Sequence, residues 1–285
     1  MSRQPRVGEH GEDAITEEEM AGTAVPALTA EPTKRLNAFT ELMSPKKPKP
    51  PTHTAAAPRP PSRAPVFAGR DGLGAYTASP QSYGPDRIVY HNEDFVVIND
   101  LYPKSSVHLL LLPRNPRKQL LHPFDAFEDI AFLASCRAEV AGVKKLVAAE
   151  LRRKHGAYSA SEKARRDAMD ADEPPDVDEL PSGRDWESEV KTGVHAHPSM
   201  NHLHVHVLAR DMHSPCMRHR KHYNSFNTPF LVPLEDLPLA INDVRRHARY
   251  LDEDLVCWRC GKNFGKSFAK LKEHLEGEFE AWRKE

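Results

Sequence analysis

The pattern of apolar and polar positions separates a polar first part of the chain from a patterned remainder that begins near Val66. In DRIVYHNEDFVVIND, two β-rich runs at 88–90 and 95–98 are separated by polar turn residues, which predicts a hairpin. The run VHLLLLP, which ends at Pro113, predicts a third, fully apolar strand. Three strands are therefore predicted between 88 and 113.

A long amphipathic helix is predicted over 124–154. Apolar residues recur there every three or four positions, Asp125 falls in the first turn, and the basic residues RRK fall at the end, which suits the helix dipole. Between Ser161 and Val190 there are eleven acidic and four basic residues, with two adjacent prolines. This composition predicts a disordered insertion over about 156–187, because the strand pattern resumes at VKTGVHAHP.

Residues 1–65 are predicted to form a disordered tail. Its part 44–65 has eight prolines in 22 residues and predicts an extended tether. The basic cluster PKKPKP is either a solvated linker or a nuclear-import signal. Upstream, Leu36, Phe39, Leu42 and Met43 lie at helical spacing, so we expect a short helix that docks a partner protein.

Composition and charge add limits to this picture. With 285 residues, the chain can bury a real core in one large or two ordinary domains, and its 25 prolines agree with disordered tracts. The net charge of −1 decides nothing about an anionic partner. Four cysteines that include a CxxC pair favour a reducing compartment over a disulfide framework. Without a signal sequence or an apolar run near ~20 residues, we expect a soluble intracellular protein with no membrane partner.

The segment NHLHVHVLA alternates three histidines with aliphatic residues, so on a strand His202, His204 and His206 share one face. A metal site is one interpretation, but the outer two residues start ~13 Å apart, too far for one zinc ion with ~2.1 Å bonds to gather all three easily. A structural strand with a polar face is a second. The third, nucleophilic attack on phosphorus by the central imidazole, is favoured because imidazole is partly neutral at pH 7.

The HxHxH motif with two following aliphatic residues resembles the signature of the histidine-triad (HIT) superfamily of nucleotide hydrolases and transferases. INDLYPKSSVHLLLLP looks like its nucleotide-pocket segment. HAHPSMNHLHVHV, DMHSPCMRHRKHYNSFNTPF and a terminal finger-like module resemble the DNA-deadenylating branch, over roughly 66–155 and 188–285. The resemblance implies an α+β fold, a mostly antiparallel sheet of about five strands with packed helices, and a small C-terminal zinc-finger module.

The resemblance also assigns roles. His204 would be the nucleophile, His202 and His206 would orient it and contact phosphate, and His195 would protonate the departing DNA 5′-phosphate. The implied AMP- and phosphate-binding residues are Asp100, Lys104, His108 and Ser199. No carboxylate-bound magnesium is indicated, so we expect no catalytic metal, and Lys104 with the partner histidines must offset the developing charge.

The C-terminal CWRCGKNFGKSFAKLKEHLEGE resembles a C2H2 zinc finger apart from its last ligand. The predicted ligands of one structural Zn²⁺ are Cys257, Cys260, His274 and Glu278. Glu278 follows His274 by one helical turn and can supply a carboxylate oxygen. A water-completed or metal-free helical cap is the alternative.

Two basic segments are candidates for DNA contact. The finger lysines at 262, 266, 270 and 272 lie either on phosphates or on a solvated face. In RHRKHYNSFNT, phosphate contacts are predicted for Arg218, Arg220, Lys221, His222, Asn224, Ser225 and Thr228. RDGLGAYTASP resembles the first helix of the branch, which implies Leu73 and Tyr76 as a wedge against the exposed base pair at a break.

These observations predict a tail at 1–65, a HIT catalytic domain at 66–236 and a finger module at 237–285. The expected function is DNA repair in the nucleus, by removal of AMP from adenylated 5′ ends of DNA through a covalent histidine-AMP intermediate. One alternative is a HIT hydrolase of small nucleotides such as dinucleoside polyphosphates or AMP-amines, which would need neither finger nor basic segment. The other is a non-catalytic zinc-finger binding module, against which the intact triad argues.

Overall fold

The computed structural model describes residues 69–285, so the predicted tail, with its basic cluster and partner-docking helix, lies outside the described residues. Six strands form one antiparallel sheet in the order β1-β2-β3-β5-β4-β6. They are β1 Ile88–His91, β2 Phe95–Asn99, β3 His108–Pro113, β4 Val190–His195, β5 Val205–Ala209 and β6 Leu231–Val232. The predicted α+β class and antiparallel sheet are confirmed.

The predicted hairpin is formed by β1 and β2, and its turn is fixed by a side chain. Asn92 Oδ1 accepts hydrogen bonds from the backbone N–H groups of Asp94 (3.0 Å) and Phe95 (2.7 Å). The apolar run becomes β3, which is buried along its whole length between β2 and β5. A short polar turn and a continuous apolar strand therefore lead directly into the centre of the sheet.

Six α-helices accompany the sheet in the described part of the chain. They are α1 Gly74–Ala78, α2 Pro123–Ala126, α3 Ile130–His155, α4 Ala160–Met169, α5 Arg220–Asn227 and α6 Phe268–Trp282. The predicted single helix over 124–154 is wrong at its start, because α2 ends and a new helix begins. Asp129 causes the break by accepting a hydrogen bond from Phe132 N–H at 3.1 Å, which caps α3.

The prediction of a disordered insertion over 156–187 is also wrong in part, since α4 lies within it. Ser159 caps this helix, and Glu162, only 4% exposed, accepts a hydrogen bond from Trp186 Nε1 at 2.9 Å. Arg152 of α3 forms an ion pair with the same carboxylate at 3.0 Å. Composition suggested disorder because it counts acidic residues but does not reveal their partners.

The sheet has different neighbours on its two faces. The apolar side of α3, including Val143, Val147 and Leu151, packs against Val205 and Val207 of β5 in the main core. His206 of this strand lies on the opposite face, as the alternation predicts, whereas His202 and His204 precede the start of β5, so the predicted strand of three histidines is too long. On this opposite face the main contacts come from α5, the α1 segment and the loops around 200.

The C-terminal finger region is packed onto the rest of the described chain. Leu271 and Leu275 of α6 share a core cluster with Tyr223 and Phe226 of α5. Further along α6, Phe279 and Trp282 join the main core below α3. Within residues 69–285 none of the helices has the length and apolar character needed to cross a bilayer.

Candidate active site and zinc-finger centre

Three buried imidazoles converge where β4 and β5 lie side by side. His206 is on β5, and His204 lies immediately before this strand. His195 ends β4, two residues past Gly193, which pairs with His206. One ring nitrogen from each histidine lies within 4.8 Å of the others. The cluster thus joins the predicted nucleophile to the predicted acid, although nine residues separate them along the chain.

His202 lies apart from this trio. Its ring packs over the start of α1, where a Cβ on Gly74 would lie 2.6 Å from Nε2. Its main-chain carbonyl nevertheless reaches the site, because His204 Nδ1 lies 2.7 Å from His202 O. Since a carbonyl only accepts, the His204 proton is on Nδ1 and the lone pair is on Nε2. This is the tautomer that a nucleophile requires.

A chain of hydrogen bonds reaches His206 from the predicted nucleotide pocket. His206 Nδ1 lies 2.9 Å from His108 Nε2. His108 Nδ1 is 3.2 Å from the backbone N–H of Lys104 and 3.3 Å from Asp100 Oδ2. In the first state of this relay, the Lys104 N–H donates to His108 Nδ1, His108 Nε2–H donates to His206 Nδ1, and His206 carries its proton on Nε2. In the second state, His108 Nδ1–H donates to Asp100, His206 Nδ1–H donates to His108 Nε2, and His206 Nε2 carries a lone pair. The relay can therefore present either a donor or an acceptor.

Burial keeps the imidazoles of this pocket neutral. Desolvation lowers the pKa of His108 to about 4, against the opposing effect of Asp100. It lowers the pKa of His204 as well, and the pKa values of His195 and His206 fall well below the usual 6.5 because burial acts together with the neighbouring rings. Neutral rings near pH 7 retain the lone pairs that nucleophilic attack needs.

Phe226 forms an aromatic wall that the sequence analysis missed. Its ring centroid lies 5.3 Å from that of His108, 4.9 Å from that of His195 and 5.0 Å from that of His206. The segment NSFNT had been interpreted as a phosphate contact, whereas the buried side of α5 faces the site. The apolar residues on one side of α5 could have indicated that Phe226 faces the interior of the protein.

The structure places the remaining predicted AMP-binding residues around the relay. Asp100 accepts a hydrogen bond from Tyr102 N–H at 2.8 Å and, through Oδ2, lies near His108. Lys104 is buried, with Nζ 5.8 Å from the centroid of the Tyr102 ring. Ser199 is buried in the loop before His202. Their contacts with AMP and phosphate remain predictions.

The loop that contains Ser199, between β4 and His202, is anchored by the segment that precedes α1. Asn201 Nδ2 donates to Asp71 Oδ1 at 2.8 Å, and Asn201 N–H donates to the Arg70 carbonyl at 2.9 Å. The Arg70 guanidinium in turn donates to Pro198 O at 3.4 Å. The segment before α1 therefore fixes one wall of the pocket, a role that the sequence did not suggest.

Part of the predicted DNA-contact set is corrected. His222, Asn224 and Ser225 are each 1% exposed, so their side chains do not reach solvent. Asn224 Nδ2 donates to the carbonyls of Leu251 (3.2 Å) and Glu253 (2.9 Å), which ties α5 to the finger region. These side chains face inward because they lie on the buried side of α5. Their polar character alone had suggested contact with phosphate.

The exposed side of the same segment keeps its basic residues. Arg218 is exposed, whereas Arg220 forms an ion pair with Asp252. Phosphate contacts by Arg218, Arg220 and Lys221 remain predictions, as does that of Thr228, whose hydroxyl donates to Asn224 O at 2.7 Å. Two of the finger lysines have protein partners: Lys266 pairs with an aspartate, and Lys272 donates to a backbone carbonyl.

The predicted wedge is corrected for one residue. Leu73 is 8% exposed and packs against Val96, Ile98 and Leu110 of the sheet, so it does not project toward a base pair. Tyr76 is half-buried against Tyr83, with ring centroids 4.7 Å apart, and remains a prediction.

The four predicted zinc ligands form one cluster, with their ligand atoms within 4.8 Å of one another. Cys260 Sγ lies 3.2 Å from His274 Nε2, which is 3.1 Å from Glu278 Oε1. Two thiols, an imidazole and a carboxylate suit a tetrahedral structural zinc site, where the ion would supply folding free energy. Arg259, which the sequence analysis missed, donates to Glu278 Oε2 at 2.7 Å and thereby leaves Oε1 facing the cluster.

The comparisons with known proteins agree with this geometry. A family model for the HIT domain matches residues 81–213, and one for the C2HE / C2H2 / C2HC zinc-binding finger matches residues 227–281. The fold and site thus define a HIT-domain protein, of the nucleotide-hydrolase class, with a C-terminal zinc finger. The finger match begins ten residues before the predicted boundary at 237, which itself remains a prediction.

Curated relatives identify the family. The aprataxin-like protein of Schizosaccharomyces pombe is 34% identical, with 75% of this chain and 82% of the relative covered. The Saccharomyces cerevisiae aprataxin-like protein is 35% identical, with 74% and 95% covered. This chain therefore belongs to the aprataxin-like family, and the predicted resemblance is confirmed.

Solved structures support the same assignment. The aprataxin ortholog Hnt3 from Schizosaccharomyces pombe superimposes with a TM-score of 0.60 at 32% identity, over 75% of this chain and 94% of that one. Hnt3 in complex with DNA and guanosine gives a TM-score of 0.58 at 31% identity, over 75% and 96% of the two chains.

Proposed function

We propose that this protein repairs DNA by removing AMP from adenylated 5′ ends through a covalent intermediate on His204. The observation that carries the proposal is the fixed tautomer of this residue, whose Nδ1 lies 2.7 Å from His202 O and whose Nε2 therefore bears a lone pair. The structural relative Hnt3 is known in complex with DNA and guanosine, which supports a DNA-linked nucleotide as substrate.

In the first step, His204 Nε2 attacks the α-phosphorus of the adenylate and forms an N–P bond. The bond between this phosphorus and the oxygen of the DNA 5′-phosphate breaks, and its electron pair leaves with the phosphate. The second pKa of such a phosphate is ~6, so departure needs little help from an acid. The His202 carbonyl, which accepts the Nδ1–H bond, stabilises the positive charge on the substituted ring.

Hydrogen-bond donors must offset the charge on the phosphoryl oxygens. When the Lys104 backbone N–H donates to His108, the relay leaves a proton on His206 Nε2, which is buried and has no protein partner within residues 69–285. We assign this N–H to a non-bridging oxygen of the α-phosphate, with Ser199 and the Lys104 ammonium as further contacts. Asp100 then takes the ribose hydroxyls.

His195 keeps its predicted role as the acid but must gain its proton after the substrate binds. Burial lowers its pKa well below 6.5, so its ring is neutral before substrate binds. The negative charge of the bound pyrophosphate raises the proton affinity of a ring beside it. His195 then takes up a proton and passes it to the departing DNA phosphate. In the second step water attacks the phosphorus, the N–P bond breaks, AMP leaves, and the proton of the water returns to His195.

The remaining parts of the proposal concern the partner and the place of action. Arg218 and Lys221 would contact DNA phosphates beside the pocket, and one structural zinc ion, held by the finger cluster, would keep α6 docked. A nuclear location and a repair partner for the tail complete the proposal. The competing function, hydrolysis of a small nucleotide, needs none of these basic contacts.

A single-turnover assay of AMP release from adenylated nicked duplex DNA tests the mechanism. We expect His204→Ala to lower the rate by about 10³-fold or more while DNA affinity stays within about twofold. His91→Ala, an exposed histidine on β1, serves as the matched control and retains the wild-type rate. AMP release by His204→Ala at a rate near wild type would refute the nucleophile assignment.

Two further measurements separate the remaining alternatives. His195→Ala should slow AMP transfer and still form the covalent intermediate, and an unchanged rate would exclude its role as acid. Turnover on adenylated nicked DNA should fall steeply with added salt, because contacts with phosphates release counterions. Equal turnover of a dinucleoside polyphosphate at all salt concentrations would favour the small-nucleotide function instead.

A further inference from the structure

The His195, His204 and His206 trio has a second chemical capability, independent of attack on phosphorus. We propose that these three imidazoles also bind one zinc ion, and that this ion and the phosphate of a nucleotide exclude each other. The trio differs from the HxHxH triplet considered in the sequence, because His195 from β4 takes the place of His202.

The geometry meets the main requirement of a three-histidine site. One nitrogen from each ring lies within 4.8 Å of the others, and tetrahedral zinc with ~2.1 Å bonds places its ligand atoms about 3.4 Å apart. Small side-chain rotations can close that difference. Three histidines along one strand, with the outer two ~13 Å apart, are too far from one another to share an ion easily. This limit does not apply here, because His195 comes from the neighbouring strand.

Each ring can direct a lone pair at the ion. His204 Nε2 carries a lone pair, since its proton is on Nδ1. His206 Nε2 carries a lone pair in the second state of the relay, in which His108 donates to Asp100 and His206 donates to His108. This carboxylate–histidine–histidine order is the outer-shell arrangement that orients histidine ligands of zinc. In the first state, His206 Nε2–H can donate to a phosphate oxygen instead. The ion and the phosphate therefore require opposite protonation of His206 Nε2.

Two orphaned atoms point to a ligand at this place. His195 Nε2 and His206 Nε2 are buried and have no hydrogen-bond partner within residues 69–285. Buried polar atoms without partners are uncommon in proteins, and an ion would satisfy both. Imidazole ligands favour zinc over magnesium, whose preferred ligands are oxygens.

Zinc bound here would inhibit the proposed reaction. The Nε2 lone pair of His204 cannot attack phosphorus while it is bonded to an ion, and the tautomer of His206 that ligates cannot donate to a phosphoryl oxygen. The inhibitory consequence rests on the proposed function, whereas binding of the ion does not.

Isothermal titration calorimetry with zinc chloride tests the proposal on the full-length protein whose finger already holds one zinc equivalent, verified by native mass spectrometry. We expect one additional ion per chain. His195→Ala and His206→Ala should each weaken this second binding by about tenfold or more, whereas the exposed-histidine control His91→Ala should not change it. Saturating AMP should raise the apparent dissociation constant of the second ion.

Absence of a second ion would overturn the proposal, as would second-site binding that is unchanged in both variants or insensitive to AMP. Circular dichroism and thermal melting check that the variants fold, and His195→Asn provides a smaller change at the same position. A protein that binds the second ion and fails to release AMP would refute only the proposed function. A protein that releases AMP and binds no second ion would refute only this inference.

Discussion

Arg259 offers the sharpest test of how the finger uses a carboxylate as its fourth ligand. Its guanidinium donates to Glu278 Oε2 at 2.7 Å, while Glu278 Oε1 lies 3.1 Å from His274 Nε2. A second arm of Arg259 pairs with the carboxylate of Glu285 at 2.5 Å. The hydrogen bond from Arg259 lowers the pKa of Glu278 and leaves its other oxygen, Oε1, toward the cluster. Arg259→Ala should therefore weaken zinc binding without removing a ligand.

The structure sets the expected size of the effect. Loss of an outer-shell partner typically lowers metal affinity by about 10–100-fold, or about 1.4–2.7 kcal/mol. The Arg259 side chain is 31% exposed and that of Glu278 is 13% exposed. Because solvent screens such a pair in part, we expect the lower end, about tenfold.

Competition with a chromophoric chelator measures this affinity directly. Glu285→Gln is the matched control, because it removes the charge of the other partner of Arg259 and leaves the contact with Glu278. It should change zinc affinity by less than about twofold. In a Glu278→His background, which replaces the carboxylate with an imidazole, Arg259→Ala should have no adverse effect. Wild-type affinity in Arg259→Ala, or equal losses in Glu285→Gln, would refute the reasoning.

Three further predictions concern stability. Asn224→Ala should lower the free energy of unfolding by about 1–3 kcal/mol in urea titrations, because two backbone carbonyls lose their donor, while the salt dependence of DNA binding stays the same. Glu162→Ala should cost about 2 kcal/mol by the same measurement, because it leaves Trp186 Nε1 without its acceptor; an unchanged value would mean that α4 contributes nothing to the fold. The pKa of His108 is about 4 in the folded protein and about 6.5 in the unfolded chain. Its contribution to the free energy of unfolding is therefore fully present above pH 6.5 and is lost as the pH falls toward 4. At pH 5.5 the loss is about 1.4 kcal/mol. His108→Gln should reduce the pH dependence of unfolding by that amount, and an identical slope would contradict the assignment.

The parts of the fold that were predicted correctly depend on local pattern. Strict alternation placed Val205 and Val207 in the core and His206 opposite, and turn residues around Asn92 marked the hairpin. The wrong start of the long helix came from local capping by Asp129, whereas the wrong prediction of a disordered insertion came from contacts between residues far apart in the chain. The acidic insertion forms α4 because Glu162 meets Arg152 and Trp186, which no count of charges reveals.

The sequence by itself placed the histidine motif in the strand region and the four predicted zinc ligands at finger spacing, and the resemblance predicted His204 as the nucleophile, because short motifs carry this information. Only the tertiary structure decided that His195 joins His204 and His206, that Phe226 encloses them, and that Asn224 turns inward. The physical reason is that strand register and helix packing bring together residues far apart along the chain, and those contacts set burial, tautomer and charge.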